Sequence, residues 1–137
     1  MYLTQWLEKK GVDFIIANHE HVIHGSKLTD NCFVSYALGN FLSSAGILHG
    51  PWDRRSNYSI AVHAYINKET KCVDHLSFTV LTAFYTVAGK FEVWPVYDLM
   101  ETLPADRAEK MRAEALQCVR DFAGLTIDNL TKEIFLR

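Results

Sequence analysis

The pattern that most constrains this chain stands at its start: a helical stretch, a glycine, then a short apolar run ending beside two closely spaced histidines. Tyr2, Leu3, Trp6 and Leu7 form a stripe at helical spacing within residues 2–10, and Gly11 suits the end of such a helix. Asp13-Phe14-Ile15-Ile16-Ala17 follows, with the unbroken apolar character of a buried strand. Helix, glycine and buried strand in that order make the second half of a βαβ unit, without its first strand. The expected class is therefore α/β. The sequence reads as the downstream part of a larger α/β protein or as a shortened relative of one.

The remainder changes style. Residues 32–38 predict a second strand, ended by Gly39-Asn40. From Tyr58 to Ile66 the chain alternates, with Tyr58, Ile60, Val62, Ala64 and Ile66 on one face. Asn67–Lys71 is a polar turn, 72–87 a further strand region, Gly89-Lys90 a turn, and Phe91–Tyr97 a returning strand. Short turns between successive strands imply antiparallel neighbours. Pro104 and Asp106 open a helix with Ala108, Met111, Ala115, Val119 and Phe122 on one face, and Gly124 closes it. Ile127, Leu130 and Ile134 predict a last short helix. The expected fold is a mixed-sheet α/β domain over 1–137: an α/β segment (1–42), a β-meander (58–97) and a helical tail (104–136).

Composition removes several function classes. The chain has 137 residues, 49% of them apolar, which suits one domain with an ordinary core. Fourteen basic against 16 acidic residues leave a net charge of −2, with no basic stripe, so no nucleic-acid partner is expected. Cys32, Cys72 and Cys118 are too widely spaced for a zinc ribbon or a CxxC pair and read as three buried thiols. The first ten residues lack the basic-then-apolar order of a signal peptide. Residues 31–52 carry no Asp, Glu, Lys or Arg and are long enough to cross a bilayer. Yet Asn40, Ser43, Ser44, three glycines and Pro51 within them suit a buried strand followed by a polar loop. No membrane span is expected.

Asn18-His19-Glu20-His21 directly follows the first strand. In an extended chain, residues two apart point the same way, so His19 and His21 can present two imidazoles to one point. Neutral imidazoles are good ligands for zinc, iron or manganese. The end of a buried strand is also where open α/β sheets place their sites. The bland alternative is two surface histidines on a loop, since two ligands fall short of a three- or four-ligand site. His24 is a further nitrogen, one residue out of phase with the pair.

Gly11-Val12-Asp13-Phe14-Ile15-Ile16-Ala17-Asn18-His19-Glu20-His21-Val22 resembles the G-A-D-x-V-I-G-x-H-P-H-V segment of the bacterial capsule-biosynthesis CapA family. Those proteins, also called poly-γ-glutamate synthesis proteins, belong to the calcineurin-like metallophosphoesterase superfamily. Gln5 stands where the preceding helix commonly carries a glutamine, and Ser35-Tyr36-Ala37-Leu38-Gly39-Asn40-Phe41 is similar to the family's second signature, Y-S-L-G-N-F. The specific resemblance covers about residues 5–42. It implies the C-terminal half of a metallophosphoesterase-like α/β sandwich. It also implies a divalent metal of the manganese, iron or zinc class, with His19 and His21 as ligands from the last motif, G-H-x-H.

The chain departs from the pattern at Ala17 for glycine, Glu20 for proline and His24 for glutamine, and none of these removes a ligand. The upstream motifs D-x-H, G-D-x-x-D and G-N-H-[DE], which supply the other ligands, do not occur. Little or no hydrolysis is therefore expected of this polypeptide alone. The resemblance implies a role in capsule or poly-γ-glutamate production at the bacterial cell envelope. Expected partners are a second copy of the chain or a separately encoded N-terminal half, and an anionic polymer. Two other readings stand beside it: a non-catalytic binding or assembly module, and a small metal hydrolase using His19, His21 and Asp13 or Glu20.

Asn40 either makes a turn after its strand or lines the cleft beside the histidines, and His24 is a second candidate for the cleft wall. The loop Ser43–Asn57 holds His49, Trp52, Asp53, Arg54 and Arg55, and its arginines suit a phosphate or an anionic polymer unless they are simply solvated. His63 and His75 face each other if Asn67–Lys71 makes a symmetric five-residue turn, a pairing that a register slip would break.

Overall fold

The computed structural model describes residues 2–42 and 54–136. Helix α1 (Tyr2–Lys9) ends through Gly11, whose φ of +83° only glycine adopts at no cost. Three short strands follow: β1 (Phe14–Ile16), β2 (Ser26–Leu28) and β3 (Phe33–Ser35). They form one sheet in the order β1-β3-β2, with β1 parallel and β2 antiparallel to β3. The central strand β3 is buried throughout. β1 is not: among the described residues it has a neighbour on one side only, and Ile16 is 50% exposed. Strand β2 has no apolar run of its own: Ser26-Lys27-Leu28 is extended because β3 lies beside it.

The meander forms a second, antiparallel sheet from β4 (Tyr58–Ile66), β5 (Val73–Tyr85) and β6 (Phe91–Pro95). Burial along β4 fades from its start to its end instead of alternating. Strand β6 stops at Pro95, two residues earlier than expected. Proline cannot donate to the ladder, and with φ −56° it precedes helix α2 (Val96–Met100). Helix α3 (Ala105–Ala123) is bounded by Pro104 and by Gly124 at φ +67°, as its sequence signals indicate.

The expected helix over Ile127–Ile134 does not form. Ile134–Phe135 is instead a strand, β7, paired with Ser77-Phe78 of β5. The polar residues between its apolar positions favour local side-chain bonds over a helix, and Thr131 Oγ1 donates to Glu133 O at 2.8 Å.

The two sheets meet where Gly39 bridges Ser59 and the Ile60 N–H donates to Leu38 O at 2.8 Å. One core connects them to the helices. Phe122 of α3 packs edge-on against Phe78 of β5 at 5.0 Å between ring centres and against Phe33 of β3 at 6.4 Å. Ser26 Oγ donates to Phe122 O at 2.8 Å, tying β2 to the end of α3. Cys32 and Cys118 are buried, and burial pushes the Cys118 thiol up to about 12. Cys72 departs from the expected burial because it starts a hairpin arm beside an exposed turn. Among the described residues no helix is long and apolar enough to cross a membrane.

Candidate functional site

Parallel pairing sets the C-terminal ends of β1 and β3 side by side, the position where α/β sheets place ligands. The chain leaving β1 carries Asn18, His19 and His21, and the chain leaving β3 carries Gly39, Asn40, Phe41 and Leu42. These seven residues line a cleft of about 430 Å³. Asn18 Nδ2 donates to Gly39 O at 3.3 Å and holds the two strand ends together.

His19 and His21 face this cleft with ring centres 6.4 Å apart and planes inclined by 42°. The chain does not stay extended between them. His21 takes φ +63°, a left-handed conformation that a non-glycine residue rarely adopts. Asn40 faces it: Asn40 Nδ2 donates to His21 O at 3.1 Å, while Asn40 Oδ1 lies 2.8 Å from His21 Nδ1. A metal bound about 2.1 Å from each nitrogen in a tetrahedral shell requires ring centres at roughly 5.5 Å. The two rings would thus close by about an ångström to share an ion. The seven lining residues carry no carboxylate, so they bring donor atoms without negative charge.

His24 stands outside the walls of this cleft. Its side chain is exposed and its backbone N–H donates to Ala37 O at 3.1 Å. Glu20 is exposed and also outside the lining. Asp13, at the opposite end of β1, borders a different cleft of about 620 Å³ with the 29–32 turn and the start of β5. The small-hydrolase reading is therefore not supported by the placement of its carboxylates. Among the described residues no group of three or more His, Cys, Asp or Glu side chains could hold a metal ion. His49, Trp52 and Asp53 lie outside the described residues, and Arg54 and Arg55 begin a 3-10 turn, Arg54–Asn57. Ser56 of that turn accepts from Asn40 Nδ2 at 3.2 Å, a contact that no pattern in the sequence announces.

His63 and His75 do not face each other. The hairpin pairs Ile66 with Val73 rather than Cys72, and an irregularity at Tyr65/Ile66 shifts the register by one residue more, so His63 lies opposite Ser77 and His75 opposite Tyr65. His63 Nε2 bonds with Thr79 Oγ1 at 2.9 Å, and His75 stacks on Tyr65 at 4.1 Å. Between them Glu133 accepts hydrogen bonds from Ser77 and Tyr65, which hold its carboxyl below the usual range, Ser77 foremost. This cluster fastens the C-terminal segment to the sheet.

Residues 2–45 match the family model of the bacterial capsule synthesis protein PGA_cap. No curated protein and no solved structure matches the chain. Both motif blocks and the two strand ends of the cleft lie inside the matched segment, so the likeness to bacterial capsule synthesis proteins rests on the part of the chain that builds the cleft.

Proposed function

We propose that the cleft between the ends of β1 and β3 is the His-x-His corner of a metallophosphoesterase-type centre in a capsule or poly-γ-glutamate synthesis protein. The observation that carries this reading is the placement of His19 and His21 on one wall of a single cleft, at the C-terminal ends of adjacent parallel strands. Two imidazoles suit a divalent ion of the zinc, iron or manganese class. Such an ion, when bound, supplies an activated water and stabilises charge on phosphoryl oxygens. A dication held only by neutral ligands lacks charge compensation, so carboxylates from outside these residues complete the centre. A separately encoded N-terminal half is the source of ligands this reading favours. The anionic capsule polymer, or a phosphate ester on the route to it, is the substrate class.

A second reading, a non-catalytic binding or assembly module of the same fold, is favoured by the lack of any three-residue ligand group among the described residues. Metal titration separates the two. Zinc or manganese added to the purified chain is expected to bind weakly, and His19→Ala or His21→Ala to weaken that binding at least about tenfold. Phosphomonoester and phosphodiester hydrolysis stays at background even with manganese. Metal binding that the double variant leaves unchanged would sink the metal corner. Metal-dependent turnover abolished by either variant would show that this chain completes its own centre.

A further inference from the structure

Asn40 is buried, 7% exposed, and its amide has partners at both ends. Its Nδ2 donates to two backbone carbonyls, His21 O at 3.1 Å and Ser56 O at 3.2 Å. Only the NH₂ end of an amide can serve two carbonyl acceptors, so a flipped amide would set oxygen against two oxygens. The orientation is thereby settled, and Oδ1 is the atom that meets His21 Nδ1 at 2.8 Å. An amide oxygen only accepts. The proton of that bond therefore sits on His21 Nδ1, and in the neutral ring the lone pair sits on Nε2.

We infer that Asn40 is a positioning residue that locks His21 in the Nδ1–H tautomer and makes Nε2 its electron-pair donor. Asn40 grips the ring and the carbonyl of the same residue, and the second grip steadies the left-handed backbone that aims the ring. Its bond to Ser56 O anchors this clamp to the turn before β4, outside the motif segment. Hydrogen bonds of this kind, from the far nitrogen of a ligating histidine, fix tautomer and ring direction at metal sites. The role of Nε2 as a metal ligand rests on the proposed function; the tautomer does not.

Nitrogen-15 NMR of the uniformly labelled, metal-free chain near pH 8, correlating ring nitrogens with ring protons, reads the tautomer directly. The chain has six histidines, and the signal lost in His21→Gln assigns the one required. A protonated Nδ1 and an unprotonated Nε2 at His21 are expected. The reverse pattern, or a mixture like that of a free histidine in water, overturns the inference with no variant of Asn40 needed. In Asn40→Ala, with folding checked by circular dichroism, the His21 pattern is expected to move toward the free-histidine mixture while His63 and His75 keep theirs. An unchanged His21 pattern in that folded variant likewise overturns it. Zinc affinity in Asn40→Ala should fall about 10- to 100-fold. If zinc ignores His19 and His21 altogether while the tautomer is as stated, the metal reading fails and the clamp stands.

Discussion

Gly39 carries φ +80° where the two sheets join, and a Cβ built there would lie 2.4 Å from Tyr58 O and 3.2 Å from Ser59 Cα. Neither neighbour is a side-chain tip that can swing away. Gly39→Ala should therefore combine left-handed strain with a backbone clash and cost about 2–4 kcal/mol. Gly89 has φ +75° with nothing within 4 Å of the added atom, so Gly89→Ala should cost only about 1 kcal/mol. Urea unfolding of the two variants checks the contrast, and equal losses would mean that close approach at Gly39 is irrelevant. The same junction shows what residues disclose alone. The histidine pair and Gly39-Asn40 stand out because each follows an apolar run. The clamp on His21 does not, because its third partner, Ser56, is 16 residues from Asn40.

Elements bounded by proline and glycine were legible in the sequence: α1 and α3 end at glycine, and α3 opens at Pro104. Strand β4 spans Tyr58–Ile66, the bounds its alternation indicates, although its burial fades along the strand rather than alternating. Strand β7 could not be read this way, because Ile127, Leu130 and Ile134 fit helical spacing while the strand is imposed by β5 and by Glu133. That carboxylate gives the attachment of β7 a pH dependence. The Ser77 and Tyr65 bonds lower its pKa from an ordinary 4.5, so their contribution is complete above 4.5 and is lost as pH falls through the lowered value. Tyr65 is raised above its ordinary 10.0, chiefly by its bond to Glu133, so its contribution is complete below 10.0 and is lost as pH rises through the raised value. Amide exchange at Leu136, which donates to Leu76 O at 2.9 Å, should accelerate below about pH 4.5, relative to amides in α3, after correction for intrinsic rates. Glu133→Gln, which keeps an acceptor but cannot ionise, should flatten the response. A wild-type profile with no acceleration would leave the carboxylate without this role.

At the scale of the molecule, apolar side chains are not evenly enclosed. The core gathers around Phe33, Phe78, Val119 and Phe122, all at most 1% exposed. At the β1 and β3 ends, by contrast, Ile16, Phe41 and Leu42 are 50–67% exposed, and on α1 Leu3 and Trp6 are 67% and 56% exposed. β1 is also a sheet edge, so its outward N–H and C=O groups meet no strand among the described residues. A free edge bordered by apolar side chains is a template for pairing with another chain. Parallel strands are also normally covered on both faces, and here only β3 is buried throughout. The purified chain should therefore self-associate through this end, burying well over roughly 1,000 Å² in total, the size a specific interface needs. Sedimentation velocity at micromolar concentration checks it, and a dimer or larger species is the expected result. Trp6→Glu and Ile16→Glu place charge on the exposed side of α1 and on the strand edge and should shift the population to monomer while leaving the helical circular dichroism intact. A wild-type chain that sediments as a folded monomer would show that α1 and β1 tolerate this exposure unaided. The cleft of His19 and His21 would then face solvent rather than a partner.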